Sequence, residues 1–338
     1  MPRARAKGGI CDYADRLIEK LGDLVPASLA KQDAEATHDA RVAARRLRAV
    51  LDVIGPLVPD RDTRPLRKAA RKVRRRLGRV RDLDVMVDQA LELSRQRKRA
   101  PAAAWLLHRL DLARDAAVRR LRKKRSLRAP LDALPGEWHE VRRKLEGREG
   151  ELRELVATSV RSQWSNFAER ADRLAGHSGA SDSDRGVTPD PHELRIAGKE
   201  LRYTLEMLPS VGLRLAAVAM RTFKRMQSEL GQWHDRVVLT DCAIAESIDA
   251  ELAHHDPVLQ SHLLALATQT LRDAQSHLKR FARLWQARGR ELSEIVPRLS
   301  AVEQPRADVT QPQTDHDPAG SGPSSAQEEP PPDAQTAA

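Results

Sequence analysis

Aromatic side chains are scarce in this chain: Phe, Tyr and Trp together make up 3% of its 338 residues. That scarcity argues against a single-strand nucleic-acid binder, which stacks successive bases on aromatic rings set among its cations. Cysteine is equally rare. Cys11 and Cys242 stand far apart and outside metal-ligand or redox spacing, which excludes a disulfide framework and a thiolate zinc site. No apolar run is long enough to span a bilayer. The N-terminal MPRARAK has the charge of a signal n-region, but no apolar h-region follows, so a cytoplasmic location is expected.

What the chain has in quantity is Arg, Ala, Leu and Glu in helical period. Its net charge is +11. The acids are unevenly placed: residues 302–338 hold seven of them and one base, so without this −6 segment the remainder carries +17. Such a charge calls for a polyanionic partner. The Pro/Gly/Ser-rich, acidic 296–338 segment has no apolar period and is read as a disordered tail. Breakers cut the rest into helical segments: 11–30, 38–54, 62–97 and 101–128, then 150–175, 191–208, 212–250 and 257–290. The expected architecture is all-α, two tandem four-helix units at 10–130 and 150–295. Residues 1–9 are expected to form a basic, disordered N-terminus, and 131–149, with Pro135 and a short helix-like run, to connect the units.

The two units echo each other. HDARVAARRLRAVLDVI at 38–54 returns as HELRIAGKELRYTLEML at 192–208, with six of seventeen positions identical at an offset of 154. LGRVRDLDVMVD at 77–88 returns as LGQWHDRVVLTD at 230–241. Two matched blocks in one order indicate an internal duplication, and duplicated units commonly pack about a pseudo-two-fold axis. The repeated residues therefore point to a shared site.

On a helical wheel His38, Arg41, Arg45 and Arg48 form one stripe, opposite Ala43, Leu47, Val50 and Leu51. The acids Asp39 and Asp52 are read as lying off it. The second copy carries His192, Arg195, Lys199 and Arg202, opposite Ala197, Leu201 and Leu205. In the next helix Lys68, Arg71, Lys72, Arg75 and Arg79 share a stripe; its counterpart keeps Arg221, Lys224 and Arg225 but has Ser228 and Gln232 at the last two rungs. Like charges at this spacing repel by about 0.2–0.5 kcal/mol per pair, so four such stripes are hard to ascribe to solubility alone. Guanidinium binds phosphate oxygens bidentately and Lys adds a mobile charge. A row of such groups suits a ligand with regularly spaced anionic oxygens. His38 and His192 are placed at or near helix N-termini, where anions are also favoured. Asp82 and Asp235 read as partners that orient cations, and Trp233 and Tyr203 as packing residues. The repeated blocks contain no carboxylate pair beside a nucleophile and no metal-ligand cluster. No enzymatic role, metal or cofactor is expected.

These paired motifs resemble the CHAD domain, the conserved-histidine α-helical domain, over roughly residues 10–290. The resemblance implies two four-helix bundles about a pseudo-two-fold axis, a central basic surface and non-enzymatic binding of inorganic polyphosphate, with association with polyphosphate granules. It maps the binding positions onto Arg41, Arg45, Arg48, Arg195, Lys199 and Arg202, with His38 and His192 as the histidines. Lys68, Arg71, Lys72, Arg75, Arg221, Lys224 and Arg225 are added from the wheel. Many relatives are fused to a CYTH-type triphosphate enzyme; no ExExK signature occurs here, so that activity is not carried over. Nucleic acid is the competing partner that net charge alone allows, though no duplex-reading motif is present. No membrane insertion is expected, and the oligomeric state is left open.

Overall fold

The structure, a computed structural model, describes residues 9–31, 33–123, 127–177, 190–249 and 255–301. The acidic segment from 302 onward and most of the 176–190 separator lie outside these residues.

Ten α-helices account for nearly all of the described chain. In order they are α1 (Ile10–Lys31), α2 (Ala34–Ile54), α3 (Asp60–Ser94), α4 (Ala100–Lys123), α5 (Arg128–Asp132), α6 (Leu134–Leu145), α7 (Glu149–His177), α8 (Pro191–Leu205), α9 (Ala217–Ser247) and α10 (Pro257–Ile295). Short polar side chains start several of them. Asp33 accepts from the Glu35 and Ala36 N–H groups at 2.9 and 3.0 Å, Asp190 from His192 N–H at 2.7 Å, and Asp256 from Leu259 N–H at 2.8 Å. After α8 a 3₁₀ turn, Leu208–Val211, ends at Gly212, whose φ of 69° lies in the left-handed region that glycine enters without steric cost. A two-residue antiparallel ladder pairs β1 (Leu213–Arg214) with β2 (Ser300–Ala301). Ordered chain thus continues past the expected start of the tail at 296, and Val296 is buried.

The helices pack as two cores. The larger joins α1, α2, α6, α7, α8 and the N-terminal part of α3 to the N-terminal part of α9 and the C-terminal part of α10. The 131–149 segment, expected only as a connector, contains the packed helix α6: Trp138, Val141 and Leu145 are buried against α1 and α3, and Trp138 Nε1 donates to Asp15 at 2.6 Å. In the second half α7, α8, α9 and α10 close a ring, each packed on the next and α10 back on α7. Its centre collects all three phenylalanines of the chain, Phe167, Phe223 and Phe281, with Trp164 and Trp285; Phe167 and Phe223 meet edge-on at 5.3 Å.

The smaller core lies at the far ends of the two long hairpins. Leu83, Met86, Ala90 and Leu93 of α3 and Leu106 and Leu110 of α4 meet Leu239 and Ala243 of α9 and Leu263 and Leu266 of α10. At 35 and 31 residues, α3 and α9 are long enough to serve both cores. The halves are therefore joined twice, once through α2, α7 and α8 and once through this distal bundle.

Candidate functional site

The middle of α2 and the middle of α8 face each other across a cleft of about 410 Å³. The core face of each helix dictates this. Leu47, Val50 and Leu51 on α2 and Leu194, Leu201 and Leu205 on α8 are buried in the main core, which leaves Arg45 and Arg48, and Arg195 and Lys199, on the cleft walls. Arg74 reaches in from α3 and Gln163 from α7; Asp52, Glu200 and Tyr203 complete one side.

Of the expected site residues, Arg45, Arg48, Arg195 and Lys199 are therefore brought together. Among the described residues the side chains of Arg45, Arg195, Lys199 and Arg74 have no hydrogen-bond or ion-pair partner. The buried Arg195 Nε and Gln163 Oε1 both lack a partner. Arg48 is held by Asp52 at 3.4 Å, and Asp52 also meets Arg67 at 3.3 Å. The expectation that Asp52 stands away from the stripe is thus corrected: fourteen positions after His38 it has rotated back onto the same helix face.

Arg41 departs from the solvent-facing stripe. It is only 9% exposed, and its Nη1 donates to Gly78 O at 2.5 Å and Asp82 Oδ1 at 3.1 Å, tying α2 to α3. The orienting acid is present, but it orients this guanidinium toward the fold. Arg202 lies on the other flank of α8, paired with Glu206 at 3.0 Å, which also holds Arg46 of α2 at 2.7 Å. His38 sits in the second turn of α2, because capping by Asp33 starts that helix four residues earlier than the 38–54 segment implied. His192 is the second residue of α8, and its N–H is already taken by Asp190. Neither histidine caps a helix. His38 is held below the ordinary imidazole range, first by burial and then by Arg81 and other cations.

The third-helix residues divide. Lys68, Arg71 and Arg75 are exposed on α3 and Lys72 is half-buried; Arg71 and Arg75, with Arg48 and Arg45, act electrostatically on Arg74. On α9, Arg221, Lys224 and Arg225 are exposed and do not line the cleft. What α9 brings near it is the later pair His234 and Asp235. The His234 ring centroid lies 5.5 Å from that of His192. Asp235 exerts its charge on Arg195 and Lys199.

Burial dominates the electrostatics. Lys199 is held down to about 7, first by burial and then by Arg195 and Arg45, with Asp235 opposing. His234 is held down to about 4 by burial and by Arg195 and Lys199. The Asp235 carboxyl is raised by burial against the pull of Arg195 and Lys199. The cleft thus concentrates cationic groups in a partly desolvated space where ordinary solvation does not satisfy them. Among the described residues no group of three or more His, Cys, Asp or Glu side chains is placed to hold a metal ion. No described helix is long and apolar enough to cross a membrane.

Sequence reasoning missed Arg74 and His234; Asp235 was read there as a partner that orients cations, and its charge acts on Arg195 and Lys199. Arg74 falls off the Lys68–Arg79 stripe on the wheel, since it approaches the cleft from the side of α3. His234 was readable as part of the repeated Leu-Gly block, where it stands 153 positions after Arg81.

A family model of the CHAD domain matches residues 12–243. The chain belongs to the CHAD domain family. Among solved structures its fold is similar to the CHAD domain from the plant Ricinus communis, with a TM-score of 0.60 and 20% identity over 86% of this chain and 93% of that one. It is also similar to PptA from Streptomyces chartreusis, with a TM-score of 0.59 and 18% identity over 83% of this chain and 100% of that one. No curated protein matches the chain.

Proposed function

We propose that the protein binds inorganic polyphosphate without consuming it, in the cleft between α2 and α8. The observation that carries this reading is the convergence of Arg45, Arg74, Arg195 and Lys199 from three helices, none with an anionic hydrogen-bond partner among the described residues. Membership of the CHAD family, which is linked to polyphosphate, supports the choice of polyanion. Guanidinium groups chelate phosphate oxygens in pairs, and a partly buried cluster of them favours a ligand whose charges are as dense as its own. The exposed Lys68, Arg71 and Arg75, with the half-buried Lys72, would extend the track for a long chain beyond the cleft, and those on α9 would contribute at longer range. A soluble polymer and the surface of a polyphosphate granule would present the same repeating anion to this track.

Nucleic acid is the competing reading. Its phosphates are about 3.4 Å of helix axis apart along one strand and separated by sugars, a lower charge density than directly linked phosphates offer. A cleft lined by a single aromatic residue, Tyr203, offers no run of rings on which successive unpaired bases could stack. The test is competition: protein-bound polyphosphate challenged with DNA and with RNA at equal phosphate concentration. Retention of polyphosphate by the protein supports the reading, and displacement by either nucleic acid contradicts it. Incubating the complex with divalent cations and following polymer length tests the non-enzymatic assignment; shortening would overturn it.

A further inference from the structure

Lys199 is the one lysine lining the α2–α8 cleft among the described residues. Its amine has no hydrogen bond or ion pair, and charged groups act on it from three elements: Arg41 and Arg45 from α2, Arg195 from α8 and Asp235 from α9. An amine enclosed by guanidinium groups faces a particular kind of electrophile, one that carries its own phosphate handle. We propose that Lys199 is an acylation site for small acyl phosphates, with the cleft arginines seating the phosphate and the lysine amine receiving the acyl group.

The arrangement supplies both requirements of such a transfer. The phosphate needs donors: Arg45 and Arg195 both line the cleft, and neither side chain has an acceptor among the described residues. A space of about 410 Å³ holds a molecule of this size. The amine needs a free lone pair. With burial and three guanidinium neighbours holding Lys199 to about 7, near neutrality about half of it is unprotonated. An ordinary lysine at about 10.4 leaves roughly one part in 2,500 neutral at pH 7. Lower basicity reduces intrinsic nucleophilicity, as it does for thiols, but more slowly than it raises the neutral fraction.

In the step itself, the Lys199 Nζ lone pair attacks the acyl carbonyl carbon and forms the C–N bond. The tetrahedral adduct collapses by breaking the C–O bond to phosphorus-bound oxygen, and that electron pair leaves with inorganic phosphate. The extra N–H proton passes to water. No oxidant or further reactant is needed. The product is a neutral amide, so one cation is removed from the cleft. Its effect on polyphosphate affinity rests on the proposed function, whereas the acylation does not.

The experiment treats the full chain with acetyl phosphate at pH 7.5 and follows each lysine by peptide mass spectrometry. The expected initial rate at Lys199 is about tenfold or more above those at Lys68, Lys72 and Lys224. It should saturate with acetyl phosphate and fall when inorganic phosphate is added. With N-hydroxysuccinimidyl acetate, which lacks the phosphate, the preference should shrink. Arg45→Gln should slow Lys199 while leaving Lys68 unchanged, circular dichroism confirming the helices. A Lys199 rate no higher than that of Lys68, or one indifferent to inorganic phosphate, overturns the proposal; the wild-type measurements decide this even if Arg45→Gln fails to fold. A chain that acylates at Lys199 but does not retain polyphosphate would sustain this inference and sink the binding function.

Discussion

Arg41 on α2 and Arg195 on α8 stand at the same position of two look-alike motifs, 154 residues apart, yet the structure uses them differently. Arg41 is tied to Gly78 and Asp82 and joins two helices. Arg195 is half-buried, but it makes no such bond and its buried Nε is left without an acceptor. The residues packed around the two helices account for part of this. On α2 the neighbouring small residue is Ala44; on α8 it is Gly198, over which α9 lays the buried side chain of Gln227. The residue 153 positions before Gln227 is Arg74, which instead reaches the cleft. One half thus contributes a structural arginine and an extra cleft cation, and the other a close-packed glycine and an unpaired arginine. Equal sequence positions do not imply equal chemistry, because each guanidinium is assigned by what its neighbours leave open.

The largest expected effect comes from removing the glycine on which this difference rests. A Cβ at Gly198 would overlap the Gln227 amide and stand 2.9 Å from Phe167 Cε2. Gly198→Ala should therefore destabilise the protein by about 3 kcal/mol despite its better helix propensity. Ala44→Gly should cost only about 1 kcal/mol. Urea unfolding of both variants checks the contrast; a neutral Gly198→Ala would show that α8 and α9 are not so closely packed. Next in size is the arginine pair itself. Arg41→Ala removes charge-assisted bonds to a backbone carbonyl and to Asp82 and should cost about 2 kcal/mol. Arg195→Ala should change stability by less than about 1 kcal/mol, because no bond is lost. Similar losses in denaturant midpoint for the two would dissolve the distinction.

Smaller still is the pH response of Lys199. Its folded value, about 7, lies below that of an ordinary lysine. Between these values the unfolded chain binds more protons, so this group makes stability rise as pH increases from 7 toward 10. Below about 7 the lysine is charged in both states and this contribution is lost. Polyanion affinity should move the opposite way, weakening as pH passes upward through 7, with a proton taken up on binding. Titrations in buffers of different ionisation enthalpy measure that uptake. Lys199→Arg should abolish it, and its persistence in that variant would assign the proton elsewhere.

Much of this was legible in the sequence, for identifiable reasons. The long apolar periods of 62–97 and 257–290 locate α3 and α10 to within a few residues at most of their ends, because a buried stripe of Leu and Ala leaves little choice of conformation. Arg45, Arg48, Arg195 and Lys199 were found because they oppose such stripes. Arg41 satisfied the same rule and still turned inward; a wheel describes one helix and contains no information about α3 lying alongside. Arg74 was missed for the converse reason, since its direction has meaning only once α2 is in place. Helix α6 was read as a short helix-like run within a connector and not as a packed element, yet Trp138 gives it enough apolar area to dock.

The central claim is that affinity resides in the cleft and not in total charge. The decisive measurement compares polyphosphate dissociation constants, at one ionic strength and pH 6.5, for the wild-type chain, for Arg45→Ala with Lys199→Ala, and for Arg221→Ala with Lys224→Ala. Each double variant removes two positive charges. The account predicts a loss of about a hundredfold for the cleft pair, equivalent to about 2.7 kcal/mol, and less than about threefold for the exposed α9 pair. Equal losses in the two would contradict it and leave diffuse electrostatics as the explanation of binding.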